Sequence, residues 1–193
     1  MISSVIESLI GTFELAFGNI KGLKHFGAER RDVLLSFAAI AIALPAELAQ
    51  KIDGWAMIPA SDPATTLLRL HALALGVATS LVSWVGFLAV SYEICRLIQR
   101  GDRWPYFVSL WNWSQVVQCA LALAANLPFL VGASAPISQA TELIFLIWAI
   151  WFDWKIVRLS LAVPVLDAIL FVVVDAVISN LVPYVGDRFG HWV

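Results

Sequence analysis

Apolar residues dominate the chain in long runs, and short polar or charged segments separate these runs. A helix needs about 20 predominantly apolar residues to cross a bilayer. The runs predict five membrane spans, at about residues 33–50, 67–94, 105–130, 139–157 and 163–182. The predicted fold class is therefore all-α, a polytopic membrane bundle of five transmembrane helices.

A different pattern precedes the first run. Between Ile2 and Ile20 the apolar residues recur at spacings of three and four, and Glu7 and Glu14 fall on the other side of a helix. This periodicity is typical of an amphipathic helix that lies in the membrane interface. We therefore expect residues 1–26 to form an interfacial helix with a basic approach to the membrane. Residues 27–193 are expected to form a single transmembrane domain.

The composition agrees with a membrane location. The chain is 61% hydrophobic and 13% charged, whereas about a quarter of the residues in a soluble domain are charged. Its net charge of -2 gives no clustered basic face, which argues against a nucleic-acid partner. Both cysteines, Cys95 and Cys119, lie in apolar helical context, and we expect them to be buried and inert. Membrane lipid is the partner that the composition predicts directly.

The distribution of basic residues predicts the orientation. If the N-terminus is cytoplasmic, the cytoplasmic side carries nine basic residues and the other side three. Positive charge is enriched in cytoplasmic loops. We therefore expect a multi-pass protein of the bacterial inner membrane, with the N-terminus in the cytoplasm and the C-terminus in the periplasm. The nine residues are Lys21, Lys24, Arg30, Arg31, Arg96, Arg100, Arg103, Lys155 and Arg158, and the three are Lys51, Arg69 and Arg188.

The third span carries a stripe of uncharged polar side chains. On a period of 3.6 residues Asn112 and Gln115 share one helix face, with Gln118 beside them. An unpaired amide costs several kcal/mol in hydrocarbon, so this face should meet other helices or a water-filled cavity. The fifth span carries Asp167 and Asp175. These five residues form the predicted intramembrane polar network.

Asp175 is open to two interpretations. An ionised carboxylate at the bilayer midplane costs about 2.5–3.5 kcal/mol, so this group should be protonated, paired or hydrated. In the structural interpretation it forms a hydrogen bond with Gln118 or Gln115, a contact worth about 0.6–2 kcal/mol. In the functional one it relays protons or cations, through Asp167, towards Asp153.

The sequence favours the structural interpretation of Asp175. A relay normally needs a second ionisable group on the outer half of the membrane. The outer half offers three ionisable residues, all expected near the membrane rim: Glu47, His71 and Glu142.

Six tryptophans fall towards the cytoplasmic ends of the third and fourth spans. Indole rings are enriched at the head-group level of membranes, so the six predict an interfacial aromatic anchor. Contacts with a pigment, a quinone or a neighbouring subunit are the alternatives, and we predict no cofactor. The six residues are Trp104, Trp111, Trp113, Trp148, Trp151 and Trp154.

Catalytic signatures are absent from the sequence. It contains no HExxH, no GxSxG, no phosphate-binding glycine loop and no CxxC. None of the three histidines has a metal-compatible neighbour at helical spacing. We therefore predict a protein that is not an enzyme, with no catalytic residues and no metal site.

Two short motifs resemble a known family. They are the segment 103–106 leading into Trp111-Asn112-Trp113, and the segment 154–158 leading into the helix with Asp167 and Asp175. This order of features resembles uncharacterised five-helix membrane proteins of alphaproteobacteria, which are distantly similar to the Yip family. The resemblance implies a five-span bundle that binds other membrane proteins without enzymatic activity. It implies no site residues.

These patterns lead to two functional hypotheses. The favoured one is an accessory or structural subunit that packs against a larger membrane protein complex. It would use the aromatic end and a face of small residues on the second span. The alternative is a small transporter or proton-conducting protein centred on Asp175. The small-residue face consists of Gly76, Ala78, Ser80, Ser83 and Gly86.

Overall fold

The part of the chain that the structure describes consists mainly of helices. The computed structural model describes residues 2–53 and 63–190. Within them, short 3-10 helices at Ile20–His25 and Gly101–Arg103 join longer elements. The α-helices are α1 (Ile2–Ala16), α2 (Arg30–Ser36), α3 (Ala38–Asp53), α4 (Pro63–Leu97), α5 (Trp104–Leu130), α6 (Ala135–Leu161) and α7 (Val165–Gly190).

Four helical stretches are long and apolar enough to cross a membrane. They are Arg30–Gln50, Thr66–Leu97, Gly101–Leu130 and Val165–Gly186. They match four of the five predicted spans and support a helical membrane protein. The remaining helix, α6, is not among them. Its apolar stretch includes Glu142 and is followed by three charged residues: Asp153, Lys155 and Arg158.

The helix boundaries match the predictions best in the middle of the chain. Helix α5 covers the predicted range 105–130, with a proline in its first turn where the missing N–H costs nothing. The first predicted span is divided, because α2 ends at Ser36 and α3 begins at Ala38. Pro45 lies inside α3, and Pro183 lies inside α7.

Helix α5 is the centre of the bundle. It packs against α1, α2, α3, α4 and α6, while α7 packs mainly against α4 and α6. All residues from Phe107 to Ser114 are buried, two full turns without an exposed face. A helix that is buried on every side is a core helix. The rest of the chain is arranged around it.

Helix α1 lies against this core with one face. Its Thr12 and Leu15 are buried. The Lys155 ammonium of α6 donates a hydrogen bond of 2.8 Å to the Leu15 carbonyl, and the Tyr106 hydroxyl donates one of 3.1 Å to the Leu23 carbonyl. The opposite face of α1 therefore points away from this core. It is exposed and apolar and carries Ile6, Ile10 and Phe13, and Phe17, just beyond the end of α1, is exposed as well.

Asn112 joins three helices inside the core. It is fully buried. Its Oδ1 accepts a hydrogen bond of 2.8 Å from Trp84 Nε1 on α4, and its Nδ2 donates one of 2.8 Å to Ser36 Oγ on α2. The Ser36 hydroxyl in turn donates to the Val33 carbonyl at 2.7 Å. The amide is thus paired through both of its polar atoms.

Replacing Asn112 with leucine should destabilise the bundle. The Asn112→Leu variant leaves Trp84 Nε1 without its acceptor, and an unsatisfied buried donor costs about 1–3 kcal/mol. We expect the free energy of unfolding in detergent micelles to fall by that amount, measured by circular dichroism against denaturant. Asn180→Leu is the control, because the Asn180 amide is exposed and bonds the Ala176 carbonyl of its own helix. Equal losses for the two variants would contradict the role assigned to Asn112.

Candidate functional site

A cavity of about 220 Å³ lies between α3, α4, α5 and α7. Its walls include the indole side chains of Trp84 and Trp111. Both rings are buried, and they meet edge to face with their centres 5.6 Å apart. The polar side chains that line the cavity are Glu47, Ser80, Ser83, Gln115, Asp175 and Ser179.

Helical spacing brings these polar side chains to one place. Ser80 and Ser83 are three residues apart on α4, and Asp175 and Ser179 are four apart on α7, so each pair shares a helix face. Gln115 follows one turn after the Trp111 ring on α5. Two carboxyl groups therefore reach the cavity from different helices, Glu47 from α3 and Asp175 from α7.

The two carboxyl groups dominate the electrostatics of the cavity. Glu47 and Asp175 are both partly buried. Among the described residues that line the cavity, none is basic. Removing an ionised carboxylate from water is costly unless a counter-charge or proton accompanies it. The site is therefore suited to a proton or a cation.

Two polar atoms at the cavity have no hydrogen-bond partner among the described residues. They are Ser83 Oγ and Gln115 Nε2. Ser83 is only 8% exposed. Buried polar groups are nearly always paired with protein or ordered water. A cavity of this size has room for several waters, each of which takes about 30 Å³ in the liquid. Both residues thus line the cavity while their polar atoms stay unsatisfied by the described residues.

The predicted polar network is divided by the structure. Gln115 and Asp175 line the cavity. Asn112 lies in the core and reaches the cavity wall through Trp84. Asp167 lies half-buried in the first turn of α7, where the helix dipole favours a negative charge. The fifth member, Gln118, is bonded elsewhere.

Gln118 pairs with an aspartate on α6. Its Nε2 donates a hydrogen bond of 2.7 Å to Asp153 Oδ1. The sequence-based hypothesis paired the third span with Asp175 instead. Asp153 and Asp175 also interact electrostatically. Helices α5 and α6 pack closely along their length, which brings this residue of α6 next to the amide.

Glu47 and Asp153 are polar residues of this region that the predicted network did not include. Glu47, expected near the membrane rim, lies on α3, which continues to Asp53, and lines the cavity. Asp153 entered the sequence-based hypotheses only as the end of a possible relay. A signal was present, because Ala149, Ile156 and Val157 are apolar, lie at helical spacing from it and are buried. Asp153 therefore lies on the packed face of α6.

The predicted aromatic anchor is also divided. Trp111 and Trp113 are 3% and 1% exposed and belong to the core, because α5 is surrounded by other helices. Trp104 and Trp148 are half-buried. Trp151 is 40% exposed, with the Lys155 ammonium 4.9 Å from its ring centre. The Arg158 guanidinium lies 5.1 Å from the centre of the Trp154 ring.

No known protein family, curated protein or solved structure matches the chain. The resemblance to the Yip family therefore stays a prediction.

The Gln118–Asp153 hydrogen bond should be detectable as a coupling energy. A double-mutant cycle with Gln118→Leu and Asp153→Leu is expected to give about 0.6–1.7 kcal/mol, the range of interhelical hydrogen bonds in membranes. The measurement is the unfolding free energy of the two single variants and the double variant in micelles. A cycle with Gln115→Leu and Asp153→Leu is the control, and we expect it to be additive. Additivity in both cycles would argue against the bond.

Proposed function

We propose that this protein is a non-enzymatic membrane protein that passes protons or small cations through its interior, with Asp175 at the centre of the pathway. One observation carries the proposal: Asp175 and Glu47, on different helices, line the same polar cavity. Ionisable groups inside transmembrane segments are costly, and they typically mark ion or proton pathways. On sequence grounds a relay was disfavoured because Glu47, His71 and Glu142 were all expected near the membrane rim. In the proposed pathway Glu47, which shares the cavity with Asp175, serves as the second acid.

The pathway has a direction along the bundle. With the N-terminus in the cytoplasm, Glu47 lies on the periplasmic half of the first span and Asp175 near the middle of the last one. Asp153, which interacts electrostatically with Asp175, lies towards the cytoplasmic end of α6. The three acids would bind the proton or cation in turn as it crosses from one side of the membrane to the other.

The proposed topology has five spans, with α6 as the fourth in chain order. Helix α6 has 27 residues, which corresponds to about 40 Å at 1.5 Å per residue. It packs along α5 and α7, two of the stretches long enough to span. Tryptophans beside Lys155 and Arg158 at its end are typical of an interfacial belt. Helix α1 would lie in the interface on the cytoplasmic side of the inner membrane.

An accessory subunit remains a prediction, but the surfaces on which it depended are partly occupied. Trp111 and Trp113 are inside the bundle. Part of the small-residue face of α4 also turns inward, while its Ala78 is exposed. Ser83 lines the cavity, and a Cβ at Gly86 would lie 3.8 Å from Ile178 of α7. Surface left for another membrane protein includes the exposed ring of Trp151.

Ion flux provides the test of the proposed function. We expect Asp175→Asn to lower proton or cation flux into proteoliposomes by about tenfold or more, a barrier increase of about 1.4 kcal/mol. Asp167→Asn is the matched control, because it makes the same change on the same helix outside the cavity. Flux is measured with an entrapped pH-sensitive dye and with a radioactive cation. Equal flux through wild type and Asp175→Asn, or no protein-dependent flux, would contradict the proposal.

Cysteine labelling tests the five-span topology. Gln99→Cys, Ser134→Cys and Ala162→Cys each place a thiol between consecutive helices, in a background where Cys95 and Cys119 are replaced by alanine. Five spans predict that positions 99 and 162 react with an impermeant maleimide from the cytoplasm and position 134 from the periplasm. If α6 does not cross the membrane, position 162 will react from the same side as position 134.

A further inference from the structure

The atoms that line the cavity have the chemistry of a hard cation site. Glu47 and Asp175 supply carboxylate oxygens, and Ser80, Ser83 and Ser179 supply hydroxyl oxygens. Carboxylate, hydroxyl and water oxygens suit hard inorganic cations, whereas thiolate and imidazole suit softer metals. Within the described ranges, no three His, Cys, Asp or Glu side chains gather closely enough to hold a metal. A cation here would therefore keep part of its hydration shell.

The size of the cavity agrees with a partly hydrated ion. Its volume of about 220 Å³ is more than a bare ion fills. It corresponds to roughly seven waters at about 30 Å³ each. Since the described lining residues include two acids and no base, the interior favours positive charge.

Unpartnered polar atoms point to an occupant. Ser83 is 8% exposed, lines the cavity, and its hydroxyl has no hydrogen-bond partner in the described part of the chain. Gln115 is half-buried and also lines the cavity, and its Nε2 likewise has no hydrogen-bond partner among the described residues. The two ends of an amide are exchanged by rotation about its terminal torsion, so Gln115 can also present its oxygen.

We propose that this cavity binds a hard inorganic cation, such as Na⁺ or Mg²⁺, through Asp175, Glu47 and Ser83 with water completing the shell. The inference rests on the proposed function and names the chemical class of its cargo. Asp175 and Glu47 supply the charge, and the Ser83 hydroxyl supplies a neutral ligand.

Equilibrium binding to the purified full chain in nanodiscs tests the site, with ²²Na⁺ and with Mn²⁺ as a paramagnetic substitute for Mg²⁺. We expect saturable binding of at least one of the two ions. Asp175→Asn and Glu47→Gln should each weaken it by about tenfold or more, equivalent to about 1.4 kcal/mol. Ser83→Ala should weaken it less. Ser138→Ala is the matched control, because Ser138 is also a buried serine whose hydroxyl has no partner in the described residues, but it does not line the cavity.

A second measurement uses the wild-type chain and does not depend on folded variants. A hydrophobic carbodiimide modifies protonated carboxyl groups in membranes, and its adduct on Asp175 can be quantified by mass spectrometry. A bound cation should protect Asp175 from this modification, while an impermeant organic cation should not.

The outcomes separate this inference from the proposed function. Saturable Na⁺ or Mn²⁺ binding that is lost with Asp175 and Glu47, together with protection from the carbodiimide, supports the site. Absence of saturable binding, or binding that these variants leave unchanged, overturns it. If proton flux depends on Asp175 while neither cation binds, the cation site is refuted and the proposed function stands.

Discussion

The cost of burying amide groups is the constraint on which this bundle depends. Helix α5 carries its amides into an apolar interior, and each one requires a partner. Asn112 is paired with Trp84 and Ser36, and Gln118 is paired with an acid of α6. Gln115 lies between them along the helix, and its Nε2 has no partner among the described residues. The candidate site lies beside this amide, which the described residues do not satisfy.

The cavity also follows from the sizes of the side chains around α5. Serines at positions 80, 83 and 179 occupy little volume beside the large rings of Trp84 and Trp111. The rings cannot shift to fill the space, because Trp84 is held by its hydrogen bond to Asn112 and Trp111 packs on Phe87, with ring centres 4.7 Å apart. Small polar residues next to fixed aromatic ones thus maintain an interior space with hydroxyl groups on its walls.

Much of the fold could be predicted from the sequence, because long apolar runs and a proline at a helix start are local signals. The range of α5 was predictable for this reason. The break at Phe37 was not, since neither proline nor glycine marks it. For the site, periodicity shows that Gln118 needs a partner, but only the packing of α5 on α6 selects Asp153. The position of Glu47 likewise depends on tertiary contacts that residue spacing does not encode.

The attachment of α1 has a mechanical consequence. Lys155 holds the Leu15 carbonyl near the end of α1, and two residues earlier Asp153 holds the Gln118 amide. One turn of α6 is therefore tied to the amphipathic N-terminal helix and to the polar interior at the same time. The contact that anchors the N-terminal helix and the contact that orients this acid therefore come from the same turn of α6, only two residues apart.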